Sequence, residues 1–122
     1  NIPVLVNGDI KDFNDFTKSI NLSNADGVMI GRGSYGKPWI FEEIRKEKAG
    51  GKYSISSKEK KEIILKHLDL NLEHYGIDIG LKNFRKHLGW YSKSIENSNE
   101  FRFKVNTCNK SKDIKKMIND FF

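Results

Sequence analysis

Ile2-Pro-Val-Leu-Val-Asn-Gly-Asp9 and Gly27-Val-Met-Ile-Gly-Arg-Gly33 are two short apolar runs, each ending in a glycine-bearing turn. Continuous apolar runs bounded by turn residues read as fully buried parallel strands, because a half-exposed strand would alternate apolar with polar residues. Pro3 suits only the start of such a strand. Between the runs, Asp12 stands where a helix cap is needed, and Phe13, Phe16 and Ile20 follow at helical spacing. Strand, helix and strand within about thirty residues make a βαβ unit, the building block of parallel α/β folds. After Pro38, which suits a first helical turn, Trp39 to about Lys48 reads as a second helix that stops at Gly50-Gly51.

From Ser56 onward the pattern is helical throughout. Ser56-Ser-Lys-Glu59 is a capping box, and the helix it opens continues through Ile64, Leu68, Leu72 and Tyr75 to Gly76. Leu81, Phe84, Leu88, Tyr91 and Ile95 step by three and four, giving one apolar stripe; Gly89 inside it predicts a close helix approach. Shorter helices are expected over 99–108, with Phe101, Val105 and Cys108 inward, and over 112–121, with Ile114, Met117, Ile118 and Phe121 inward. The expected fold is therefore α/β plus all-α. It divides in the polar stretch Gly50–Ser57, into residues 1–51 and a small helical bundle over 52–122.

Charge divides at the same place. The net charge is +6, yet residues 1–50 carry seven Lys/Arg and seven Asp/Glu, whereas residues 51–122 carry fifteen and nine. The whole excess lies in the helical part, which points either to a polyanion-binding surface or to a plain solvated lysine face. No apolar run approaches the roughly 20 residues of a membrane span, and nothing at the start reads as a signal peptide. The single cysteine supports neither a disulfide framework nor a thiolate zinc site, which favours a reducing, cytoplasmic setting. His67, His74 and His87 lack the one-turn spacing of a helical metal pair, so no metal site is expected; His67 and His74 belong on or beside a packed face.

Gly31-Arg-Gly-Ser-Tyr-Gly36 has Gly-x-Gly-x-x-Gly spacing, but the strand and acid that a dinucleotide fold needs farther on are missing. The two turns together are more informative. Neighbouring parallel strands put Asn7-Gly8-Asp9 and Gly31-Arg32 at one carboxyl edge, where backbone N–H groups and a guanidinium can converge on a phosphate. In TIM barrels the loops after the last two strands often form such a site with a short extra helix, which Ser34 to Lys37 are placed to begin. Gly8, Gly31 and Gly33 admit close backbone approach. Asp9 beside a phosphate either orients Arg32, caps a loop, or is a plain turn aspartate.

These segments, Ile2 to Ile10, Ala25 to Gly33 and Gly36-Lys-Pro-Trp-Ile-Phe41, resemble the end of the barrel in bacterial tRNA-dihydrouridine synthases. Arg85-Lys-His-Leu-Gly-Trp-Tyr91 resembles the motif of their C-terminal helical domain, and the likeness is nearest to the B-type branch. The resemblance implies the last two strand–helix units of an FMN-binding TIM barrel followed by a helical tRNA-binding domain. It implies an enzyme that uses NADPH-reduced FMN to saturate the 5,6 double bond of selected tRNA uridines. It also implies FMN-phosphate contacts for Asn7, Gly8, Asp9, Gly31 and Arg32. The family's cysteine acid, its flavin-side lysine and its ring-holding residues belong to earlier strands, so no catalytic residue is expected here and Cys108 is read as a small core residue. Because the chain begins at Asn1 and not at Met, it is read as a piece, and because two strands cannot close a barrel it is expected to be inactive alone.

On the helix whose inward stripe is Leu81, Phe84, Leu88 and Tyr91, the residues Lys82, Arg85, Lys86 and Lys93 project mainly away from the core, and with the tRNA reading they form its RNA-binding face. His87 sits in the same motif and either meets RNA or packs, while Trp90 and Tyr91 read as core or boundary residues. Two other readings remain at this stage. One is another FMN TIM-barrel oxidoreductase acting on a small molecule; the other is a stand-alone RNA-binding helical module.

Overall fold

The two apolar runs pair as parallel strands β1 (Leu5–Asn7) and β2 (Gly27–Met29), with Leu5 opposite Gly27, Val6 opposite Val28 and Asn7 opposite Met29. In this computed structural model, which describes residues 2–122, the chain forms a first unit ending at Ser54 and a second spanning Ile55–Phe122. Asp26 extends the strand pairing by one step: its carboxylate accepts from the Val4 N–H at 2.8 Å while its own N–H donates to the Val4 carbonyl at 2.9 Å.

Helix α1 (Phe13–Ser23) makes the crossover. It starts because the Asp12 carboxylate accepts from the Asp15 N–H at 2.8 Å, and it ends where Asn24 turns left-handed at φ 52°. A 3-10 turn (Arg32–Ser34) follows β2, then helix α2 (Ile40–Lys48). Glu42 and Glu43 lie in the first turn of α2 and Arg45, Lys46 and Lys48 in its last, each sign at the end the helix dipole favours. Ile10, Ile40 and Ile44 form the buried centre, with Phe13, Phe16, Val28 and Ile30 packed around it.

The strands are not buried on both faces as their composition predicts. Val28 and Ile30 face the α1–α2 core, but Leu5 is 63% exposed and Met29 57%. Alternation along a strand sends successive side chains to opposite faces. Within this unit a single helical layer covers one face, and no described residue of the unit covers the other.

The second unit contains α3 (Ser57–Tyr75), α4 (Ile77–Tyr91), α5 (Ser98–Thr107) and α6 (Ser111–Phe121). The capping box forms: Ser56 Oγ accepts from the Glu59 N–H, and the Glu59 carboxylate accepts from the Ser56 N–H at 2.9 Å. Gly76, at φ 77°, makes the sharp corner between α3 and α4. Packing runs α3 on α4, α4 on α5, α5 on α6 and α6 back on α3, around Ile64, Leu68, Phe84, Leu88, Val105, Ile114 and Ile118. Phe101 and Phe121 stack at 4.1 Å between ring centroids, closing the α5–α6 side. No helix among the described residues is long and apolar enough to cross a membrane.

Four local expectations change. Helix α5 ends at Thr107, so Cys108 caps it, half-buried, instead of filling the core. Helix α4 ends at Tyr91, leaving Lys93 and Ile95 in the following turn. His74 is exposed. The close helix approach lies at Gly80, not Gly89: a Cβ at Gly80 would come within 3.0 Å of the Asn71 carbonyl oxygen and of Leu72 Cδ2, whereas one at Gly89 meets only Arg102 Cδ at 3.9 Å. Gly80→Val should therefore destabilise the bundle by about 2 kcal/mol through overpacking. Gly89→Ala should stabilise it by up to about 1 kcal/mol through helix propensity. Urea denaturation followed by circular dichroism reads both.

Candidate functional site

The strand register makes the first site. Because Asn7 lies opposite Met29, the loops that follow β1 and β2 leave from the same edge. They enclose a cleft of about 330 Å³ lined by Asn7, Gly8, Asp9, Ile10, Gly31, Arg32 and Gly33. Asp9 sits at φ 46°, in the left-handed region, and its carboxylate accepts from Arg32 Nη2 at 2.6 Å. Both side chains are exposed, so the pair contributes little stability; its effect is to orient the guanidinium while leaving other donors available.

The glycines of the cleft do two different things. A Cβ at Gly8 or Gly31 would meet no atom within 4 Å, so bare backbone borders open space there. A Cβ at Gly33 would lie 1.9 Å from the Ile10 carbonyl oxygen, so the second loop packs directly on the first. The short helical turn forms over Arg32–Ser34, earlier than the Ser34–Lys37 start expected from sequence. It is closed by the Ser34 N–H at 3.0 Å and Ser34 Oγ at 2.8 Å, both donating to the Gly31 carbonyl. Open glycine backbone, an oriented guanidinium and a concave shape fit an anion such as phosphate. No His/Cys/Asp/Glu group among the described residues is arranged to hold a metal ion.

Lys37 is a member of this region that residue patterns do not reveal. Its ammonium donates to the Lys11 carbonyl at 3.2 Å and to Glu43 Oε1 at 2.9 Å. A separation of 26 residues in one case and six in the other matches no helical pairing rule.

The second candidate surface is the motif on α4, and the structure divides it. Lys82, Lys86 and Lys93 are exposed. Arg85 is half-buried and not free on the outer face: its Nη2 donates to the Cys108 carbonyl at 3.0 Å and to Asn109 Oδ1 at 2.8 Å, tying α4 to the turn between α5 and α6. Its Nε is buried without a hydrogen-bond partner. At four residues after Leu81, Arg85 lies on the flank of the inward stripe, close enough to α5 for its long side chain to be recruited.

His87 is also drawn inward. Its ring lies 4.6 Å from His67, 5.0 Å from Trp90 and 5.5 Å from Phe84, centroid to centroid. Burial pushes its pKa down to about 4, with the neighbouring His67 and Lys86 adding to the effect, so the ring is neutral at pH 7. His67 shares this setting, with Nδ1 3.0 Å from the Tyr91 hydroxyl and its own pKa lowered by burial. Burial likewise pushes Tyr91 up to about 12.

Comparison with known proteins points the same way along the whole chain. The family profile described as Dihydrouridine synthase (Dus) matches residues 1–122. A probable tRNA-dihydrouridine synthase of Rickettsia conorii is 41% identical over 123 residues, covering 99% of this chain and 37% of that protein. The corresponding protein of Helicobacter pylori (strain ATCC 700392 / 26695) is 36% identical over 120 residues, covering 98% of this chain and 35% of that protein. tRNA-dihydrouridine synthase B of Pseudomonas syringae pv. tomato is 35% identical over 123 residues, covering 99% of this chain and 36% of that protein. The chain thus spans little more than a third of the length of the curated relatives it matches.

Two outcomes follow from the geometry. Gly33→Ala should cost about 3 kcal/mol or more, because the obstacle is backbone, while Gly8→Ala should be nearly neutral for folding; thermal melts compare them. The histidine pair makes the bundle acid-sensitive. His87 and His67 hold protons less readily when folded than the ordinary value near 6.5, so the unfolded chain protonates first as pH falls. Stability should be fully present above about pH 7 and decline from about 6.5 toward 4, and His87→Leu should flatten that decline in urea titrations at stepped pH.

Proposed function

The chain belongs to the dihydrouridine synthase family, and from that premise we propose that it is the C-terminal part of an FMN-dependent tRNA-dihydrouridine synthase. On this reading, residues 1–51 are the last two strand–helix units of an FMN-binding TIM barrel, and residues 52–122 are a tRNA-binding helical domain. The observation that carries it is the cleft at the strand edge, where two glycine loops and the Asp9–Arg32 pair meet. Such a cleft at the carboxyl ends of the final two strands is where barrels of this class bind phosphate. The exposed apolar face of β1 and β2 supports the barrel reading, since neighbouring strands would cover Leu5 and Met29.

The proposed roles follow from the chemistry of each group. Gly8 and Gly31 present backbone to the FMN phosphate, Arg32 donates to its oxygens, Asp9 holds Arg32, and Asn7 borders the site. FMN bound here and reduced by NADPH would supply the hydride for saturation of the uridine 5,6 double bond, the matching proton coming from an acid outside these residues. No residue of this chain is assigned to that step. In the helical part, Lys82, Lys86 and Lys93 meet tRNA phosphates, while Arg85 and His87 hold the motif from beneath. The proposed setting is the cytoplasm, where tRNA and NADPH are both present. The small-molecule oxidoreductase and the stand-alone module account less well for a phosphate cleft and a basic face in one chain.

In the complete protein, Arg32→Ala should lower FMN affinity by roughly 1.5–3 kcal/mol, the worth of a charge-assisted contact. Unchanged flavin retention on gel filtration would remove Arg32 from the site. Replacing Lys82, Lys86 and Lys93 together by Ala should weaken tRNA binding and reduce its log–log salt slope by about 2, with helical content unchanged. An unaltered slope would place the tRNA surface elsewhere. The 122-residue chain alone should neither retain FMN stoichiometrically nor reduce tRNA.

A further inference from the structure

Lys37 and Glu43, just beyond the second loop of the cleft in sequence, form an ion pair, with Nζ 2.8 Å from Glu43 Oε2 and 2.9 Å from Oε1. Unlike the exposed Asp9–Arg32 pair, this one is largely enclosed, with side-chain exposures of 32% and 14%. In an enclosed pair, removal of one partner leaves the other charge stranded, at a cost larger than at the surface. The Lys37 ammonium also donates to the Lys11 carbonyl at 3.2 Å, and there it reaches the other loop. Lys11 is held from its other side as well, because its N–H donates to Asp15 Oδ2 at 3.0 Å.

Besides the apolar packing of Ile10 with Ile30 and Ile40, the two loops of the cleft are linked by polar and backbone contacts. The exposed Asp9–Arg32 pair joins them, Gly33 lies against the Ile10 carbonyl, and Lys37 donates to the Lys11 carbonyl. The first is weak, and the second is a close backbone approach that leaves no room for a side chain. The third links the loops through the Lys37 ammonium, and the more enclosed Glu43 on α2 anchors that ammonium to the helix. We infer that Lys37, oriented by Glu43, is a positioning residue that sets the spacing of the two phosphate loops and so makes the site select a phosphorylated flavin. This inference rests on the phosphate reading of the cleft. Lys37 contributes by holding backbone donors within the few tenths of an ångström that a preorganised anion site needs.

The test compares FMN with riboflavin, which lacks the phosphate, by flavin-fluorescence titration of the complete protein. Lys37→Met should weaken FMN binding about tenfold, as loss of an orienting partner commonly does, and leave riboflavin binding within about twofold. Lys37→Arg should restore most of the FMN preference, because it keeps the charge and the reach. If Lys37→Met folds poorly for having stranded Glu43, the double variant Lys37→Met/Glu43→Leu removes both charges and should fold yet lose the preference. An FMN preference undiminished in either folded variant overturns the inference, as does an equal loss for both flavins. A parent protein that binds FMN no better than riboflavin overturns the phosphate reading itself, and the inference with it.

Discussion

Everything built at the strand edge depends on Gly33 having no side chain. The Ile10 carbonyl occupies the place where a Cβ would stand, so the loop after β2 can lie directly on the loop after β1. With that contact made, Arg32 falls beside Asp9, Lys37 reaches Lys11, and α2 starts where Ile40 and Ile44 can close over Ile10. A backbone-on-backbone contact of this kind is unforgiving. Flexible side chains yield by rotating, whereas the Ile10 carbonyl, 1.9 Å from where a Cβ on residue 33 would stand, yields only if the loop moves.

The helical unit relies on a different device, the double use of one short motif. In Arg85-Lys-His-Leu-Gly-Trp-Tyr91, alternate demands fall on neighbouring residues: Leu88 and Tyr91 fill the core, Lys86 faces solvent, and Arg85 and His87 occupy the flanks. The flank residues are polar yet drawn inward, Arg85 by the carbonyl that ends α5 and His87 by the rings of His67, Phe84 and Trp90. A basic motif thus supplies fewer free charges than its composition implies. Exposed lysines carry the charge, and the guanidinium and imidazole carry the packing.

The apolar face left open on β1 and β2 follows from the same accounting of surfaces. Val28 and Ile30 are covered by the helices of their own unit, whereas Leu5 and Met29 alternate to the opposite side. Strands this apolar on both faces are suited to burial between two layers. Within the first unit, one of those layers is present among the described residues.

Much of this was legible in the sequence. The strand–helix–strand order, the Asp12 cap, the Ser56–Glu59 capping box and the Leu81–Tyr91 stripe are local, and each follows from spacing and side-chain chemistry within one or two turns of chain. The glycine turns also marked the candidate cleft, because parallel pairing alone brings Asn7 and Met29 to one edge. What only the tertiary structure decided were the long-range partners. Cys108 left the core because α5 stopped one residue short, and Gly80, not Gly89, took the close approach because α3 returns alongside the start of α4. Arg85 turned toward Asn109, and Lys37 joined Lys11 to Glu43, across separations of 24, 26 and six residues. No periodicity encodes such pairings, since they depend on where separate elements come to rest in space and not on the repeat of any one of them.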